Sequence, residues 1–195
     1  MIYGKYKEAR NTAWQALVDF SVKSLPVPIA SIANTAGITL VKSTDLPLRI
    51  AGITTQTDNA WTIIYKADLP RGARRFTIAH ELGHIFLGHP MNGNYTRTFD
   101  LSKPSVESEA DIFASRFLMP ACVLHELQAF TPERIKEICD VSMQAAKVRS
   151  ERIALLERRG AWYKSPLETQ VKYQFWDWII DNKKSPTGGN QQRIK

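Results

Sequence analysis

His80 and His84 stand four residues apart, with Glu81 directly after the first, in the stretch Arg74-Arg75-Phe76-Thr77-Ile78-Ala79-His80-Glu81-Leu82-Gly83-His84-Ile85-Phe86-Leu87-Gly88-His89. This His-Glu-x-x-His pattern restricts the fold sharply, because its geometry works only on a helix. There both imidazoles lie on one face, one turn apart. Two neutral imidazoles at that spacing can grip one zinc ion. Glu81 falls on the flank of the same face. It can reach a water beside the metal without being a ligand, which is where a general base must sit. Ile78, Ala79, Leu82, Ile85 and Phe86 occupy the opposite arc and give the helix an apolar back to bury. Gly83, beside the ligand face, leaves room for a substrate or a second element. Asp68-Leu69-Pro70 offers an N-cap and a first-turn proline, and Gly88 ends the helix. The plainer alternative is a buried helix with two hydrogen-bonded histidines. Motif, period and apolar back together favour the metal.

A catalytic zinc site needs a third protein ligand and an open fourth position. The helix predicted over Ser105–Pro120 offers Glu107, Glu109 and Asp111. Its core stripe is Val106, Ala110, Phe113 and Phe117, and Glu107 and Glu109 lie on opposite borders of it, so periodicity leaves both in play. Two features favour Glu107. Asp111 follows one turn later and can orient a histidine through its other ring nitrogen. Ala110 and Ala114 share that side and allow a close helix approach. Glu109 is then expected to pair with Arg116 or meet solvent. His89 is the rival ligand. A metzincin-type site has its glycine three residues and its third histidine six residues past the second histidine, whereas Gly88 is four and His89 five beyond His84. His89 is therefore read as a histidine at a helix C-terminus, explained by the helix dipole. His125 is read as a surface or satisfied core histidine.

The rest of the chain reads as scaffold. Residues 4–23 predict a first helix, ended by Leu25-Pro26-Val27-Pro28, and Pro28 to Ala36 a second, closed by Gly37. Ile38–Val41 is a strand. Arg49–Thr55 and Ala60–Tyr65 form a hairpin around Gln56-Thr57-Asp58-Asn59, and Trp61–Tyr65 is the strand expected to offer its edge to an extended peptide. Pro90 to Lys103 is a polar loop at the cleft rim, where Tyr95 and Arg97 have the chemistry to stabilise an oxyanion but are read as surface residues. Thr131-Pro132-Glu133 and Ser142 start two helices joined at Cys139-Asp140-Val141, which resembles a helix-turn-helix. Its second helix would present Gln144, Lys147 and Arg152 to DNA; bracing of the catalytic body is the favoured role. Tyr173 to Ile180 is an aromatic-rich last helix docked on the body, and Ser185–Lys195 a disordered tail.

These motifs carry a family resemblance. Arg75–His84, then Glu107-x-x-Ala110-x-x-Phe113-Ala114, then Leu118-Met119-Pro120, resemble the ImmA/IrrE family of metallopeptidases over roughly residues 25 to 160. The chain departs at Lys66, where many relatives have asparagine. The resemblance implies an α+β fold: a small thermolysin-like (gluzincin) zinc peptidase core with a short β-sheet and the HExxH helix, followed by C-terminal helices. It implies Zn2+ held by His80, His84 and Glu107, with Glu81 as base, and the Glu107-x-x-x-Asp111 spacing looks like that of thermolysin-type sites. Family members act as intracellular proteases, and several cleave a helix-turn-helix repressor of a mobile element, prophage or stress regulon. The expected organisation is a peptidase domain at 1–125, a helical hairpin or helix-turn-helix-like segment at 126–164, and an aromatic helix with its tail at 165–195.

Composition sets the remaining bounds. At 195 residues and 44% hydrophobic the chain can bury a real core. It shows no membrane span and no signal-peptide core, so the expected place is the cytoplasm. Cys122 and Cys139 form no C-x-x-C motif and read as free core thiols. Of the net charge of +7, residues 144–195 carry +6, which suits either an acidic partner or nucleic acid at that end or a solvated basic face. The expected partner is a protein substrate, with DNA not favoured. The competing function is a regulatory protein that sequesters a repressor or binds DNA without proteolysis. An intact Glu81 argues against it, since a purely structural metal site needs no base.

Overall fold

The computed structural model describes residues 2–90 and 105–183. The architecture is mixed α+β. Helices α1 (Ile2–Asp19) and α2 (Ile29–Thr35) precede strands β1 (Ile38–Ser43), β2 (Gly52–Thr57) and β3 (Ala60–Lys66). The His-Glu-x-x-His helix is α3 (Arg71–Phe86), and α4 (Ser105–Leu118) carries the candidate carboxylates. Then come α5 (Ala121–Glu126), α6 (Pro132–Cys139), α7 (Met143–Arg158), α8 (Pro166–Gln174) and α9 (Trp176–Lys183).

The hairpin forms where Asp58 and Asn59 both take positive φ, 48° and 63°, the conformation that a two-residue hairpin turn requires. One expectation about it fails. Strand order is β1-β3-β2, with β1 parallel and β2 antiparallel to β3. Both edges of Trp61–Tyr65 are therefore paired, and β3 cannot offer an edge to a peptide. Among the described residues β2 has no strand on its outer side. It is also the strand that reaches the site, since Gly52 and Thr54 both contact Glu81.

Helix boundaries differ from expectation in three places. Helix α1 stops at Asp19, not Lys23: Ser21 turns left-handed at φ 51°, and the Val22 N–H bonds back to the Leu17 carbonyl. This is a glycine-type helix end built without glycine. The Gln174 amide supports it by donating to the Leu17 and Val22 carbonyls, both at 2.7 Å. Helix α3 has Pro70 at its N-cap with no side-chain cap, so Asp68 does not cap it. The aromatic segment is two helices, divided at Phe175, although it docks as expected through Val171, Phe175 and Ile179, each fully buried.

One hydrophobic cluster joins the helices around the sheet. It includes Ile63 of β3, Leu82 of α3, Phe113 and Phe117 of α4, and Ile135, Cys139 and Ile153 of α6 and α7. Cys122 and Cys139 are free thiols inside it, and burial pushes both up to about 12. Gly72 at the start of α3 lies against the α6–α7 turn. A Cβ there would stand 2.5 Å from the Ser142 nitrogen, so only glycine allows this approach. Arg71 and Arg75 both pair with Asp140 in the same turn. No helix among the described residues is long and apolar enough to cross a membrane.

Candidate active site

The packing of α3 on α4 builds the site. A Cβ on Gly83 would lie 3.1–3.2 Å from Phe113, so the space beside the ligand face is filled by α4 and not by a substrate. Ala110 and Ala114, both fully buried, extend this close contact. The approach brings Glu107 to the histidines. His80 Nε2 lies 3.3 Å from Glu107 Oε2, His84 Nε2 lies 3.3 Å from Glu107 Oε1, and the two Nε2 atoms are 3.1 Å apart. One donor atom from each of His80, His84 and Glu107 falls within 4.8 Å of the others. Asp111 Oδ1 lies 2.9 Å from His80 Nδ1, the orienting position expected from the sequence.

Glu109 does not join this group. It lies on the far border of α4, where Oε1 accepts from Lys5 Nζ at 3.0 Å and Oε2 lies 3.5 Å from His89 Nε2. The expected pairing with Arg116 is absent because Arg116 donates to the Tyr6 hydroxyl and to Ser115.

His89 has a contact that helix-dipole reasoning missed. Gly88 is left-handed at φ 64°, and the His89 N–H bonds back to the His84 carbonyl at 3.0 Å. This Schellman closure folds the residue after the glycine back over the last turn. The result is His89 Nδ1 at 2.9 Å from His84 Nδ1. For His84 to present a lone pair at Nε2, its Nδ1 must carry the proton and His89 must accept it. His89 then donates from Nε2 toward Glu109. Each candidate ligand histidine thus has its outer nitrogen held: His80 by Asp111, and His84 by His89 backed by Glu109. His125, as expected, is satisfied elsewhere: it pairs with Glu157 and stacks on Trp162 at 4.2 Å.

Glu81 is fully buried beside the cluster. Its Oε2 accepts from the Thr54 hydroxyl at 2.7 Å, while its Oε1 is buried without a partner among the described residues. A Cβ on Gly52 would come 3.2 Å from that oxygen and 2.6 Å from Thr77 Cγ2, so the strand passes close only because residue 52 is glycine. A glycine inside a strand was the sequence signal for this approach. Burial pushes the Glu81 carboxyl up, against the opposing pull of His80 and Thr54. Burial acts the same way on Glu107, but hydrogen bonds from His80 and His84 prevail and hold it well below the usual carboxylate range. Burial lowers His80, and Asp111 and Glu107 more than offset this, so it is raised. The pocket therefore favours positive charge where the three donors meet. Two imidazole nitrogens and a carboxylate with opposing outer partners fit a metal ion. Tyr95 and Arg97 lie outside the described residues, as does Ser185–Lys195.

A helix presenting two histidines and a glutamate, with a carboxylate donor from the next helix, is the arrangement of a metallopeptidase. The chain belongs to the peptidase M78 family, whose IrrE N-terminal-like domain matches residues 33–151. This bears out the ImmA/IrrE resemblance. No curated protein matches the chain.

Replacing His89 with alanine should weaken metal binding by about 10–100-fold, the usual effect of losing a partner that orients a ligand. Competition against a chromophoric chelator measures it. Unchanged affinity would show that His84 needs no such partner.

Proposed function

We propose that the chain is an intracellular, cytoplasmic zinc-dependent endopeptidase that cleaves a helix-turn-helix transcriptional repressor. One observation carries the catalytic part of this reading: the buried Glu81 Oε1, without a partner among the described residues, beside three converging donors. A structural metal site has no use for such an oxygen. In this reading His80, His84 and Glu107 hold one zinc ion, within a thermolysin-like core. When bound, the ion supplies Lewis acidity, polarising a peptide carbonyl and acidifying water. The remaining work falls to side chains. Glu81 Oε1 takes the proton of the attacking water and delivers it to the leaving amine. Thr54 fixes the other oxygen of Glu81, so the free one keeps its aim. Asp111 and His89 keep the histidine Nε2 atoms turned inward. An extended substrate segment pairs with the outer edge of β2 and runs past Glu81. The repressor as substrate is supported by the family resemblance. The test is co-expression with a helix-turn-helix repressor from the adjoining reading frame. A cut fragment together with derepression is expected. Derepression without a cut would mean the protein acts by binding.

In the same reading, residues 126–164 brace the catalytic body of residues 1–125, with the helices of 166–183 docked through Val171, Phe175 and Ile179. The tight seat of the α6–α7 turn on Gly72 supports this, since a recognition helix needs its first turn clear to enter a groove. Arg152 also turns inward, its guanidinium 5.3 Å from the Tyr6 ring centre. The protein is therefore expected to show no sequence-selective, salt-dependent DNA binding. Selective binding weakened by Lys147→Ala would overturn the bracing role.

A further inference from the structure

We propose that the chain carries a second binding site, remote from the metal cluster, for a small phosphate-bearing anion. It is a cavity of about 390 Å³ where α1, α4 and α7 meet the segment 159–168. Five arginines line it: Arg10, Arg116, Arg149, Arg152 and Arg159. Lys7 and Lys164, both exposed, add to the charge, and Glu168 is the one carboxylate in the lining among the described residues.

The decisive group is Arg149. It is 1% exposed, yet only its Nε has a partner, the Met119 carbonyl at 2.8 Å. Both terminal nitrogens, Nη1 and Nη2, are buried without a hydrogen bond among the described residues. Arg152 leaves its Nε in the same condition. Arg116 is also buried, and its terminal nitrogens go to the Tyr6 and Ser115 hydroxyls, neutral acceptors that bring no charge. A buried guanidinium without an acceptor or counter-charge is costly, and placing several together adds their repulsion. The strain shows in the neighbouring groups. Burial pulls Arg149 well down, and the charge of Arg116 adds to that. Burial would raise Tyr6, but Arg116, Arg152 and Arg149 outweigh it and pull the phenol down. Burial pushes Glu168 up, which weakens it as a counter-ion.

A multiply charged anion resolves these conflicts together. Planar guanidinium forks match phosphate oxygens two at a time, and the unused Arg149 nitrogens form such a fork. The volume suits a small metabolite such as a nucleotide. The Arg116 and Arg152 guanidiniums both lie against the Tyr6 ring, 5.4 and 5.3 Å from its centre, and the ring lines the cavity beside the charge. The site also ties α1 to α4, nearer the C-terminal end of the helix that carries Glu107 and Asp111. It stands independently of the peptidase reading.

The test uses the full chain in physiological chloride, which screens unspecific surface binding. Thermal unfolding and calorimetric titration are run with inorganic phosphate, pyrophosphate and ADP in turn. At least one should raise Tm by about 5 °C when present about a hundredfold above its Kd. A response to all three assigns the site to phosphate itself, and a response to ADP alone assigns it to a nucleotide. Arg149→Met removes the fork. Arg152→Gln, on a half-buried wall position, guards against misfolding of the first. Each folded variant should lose about tenfold or more in affinity, whereas Arg134→Gln, on α6 and outside the cavity lining, should lose none. No Tm shift with any of the three anions at millimolar concentration would overturn the site. So would equal binding by wild type and Arg152→Gln.

Discussion

Glu81→Gln is expected to abolish proteolysis while leaving the fold and the bound metal in place. Losing a general base typically costs about 10²–10⁴ in rate. Glutamine keeps the shape of glutamate, so the Gly52 contact survives, and its carbonyl can still accept from Thr54. Its amide nitrogen cannot take a proton at neutral pH. Stability should move the other way. Burial already disfavours the charged carboxylate at this position, so a neutral amide relieves desolvation, and Tm should stay level or rise. Unchanged metal content, unchanged or higher Tm and lost cleavage form the signature. Equal cleavage by both proteins would show that Glu81 is not the base.

Glu107→Gln and Glu109→Gln should separate just as clearly. Glu107 places its two oxygens 3.3 Å from the two histidine Nε2 atoms, whereas Glu109 lies 3.5 Å from His89 Nε2, which in turn faces His84. A lost ligand should reduce metal affinity beyond the range of about 10–100-fold typical of orienting partners, and Glu109→Gln should fall within or below that range. Chelator competition on the two variants side by side measures the difference. Equal losses would mean that both carboxylates act on the metal in the same way.

The helix with His80, Glu81 and His84 was legible because its information is local: a four-residue spacing and an apolar back. The choice between Glu107 and Glu109 was not, since both border the same stripe. Which of the two faces the histidines follows from how α4 rotates against α3, with Phe113 packing over Gly83. The place of His89 was not legible because it comes from a turn and not from a count of residues: the left-handed Gly88 returns the chain over His84. The central place of β3 arises from a parallel pairing with β1 that skips over β2, a long-range choice that strand propensity does not encode. Helix α1 ended early without a glycine or proline at the break, with Ser21 turning left-handed and Gln174 of α8 holding the freed carbonyls. Arg152 looked like a DNA contact in the sequence because periodicity does not show that α1 packs Tyr6 against it.

The most informative measurement is made on purified full-length protein, with metal content and cleavage read from the same sample. The protein is stripped with chelator, reloaded with zinc and incubated with the repressor from the adjoining reading frame, and the products are weighed by intact mass spectrometry. One zinc per chain should bind and a discrete cut should appear, vanish on chelation and return with zinc. A protein that holds one zinc and binds the repressor yet leaves it whole would contradict the peptidase account.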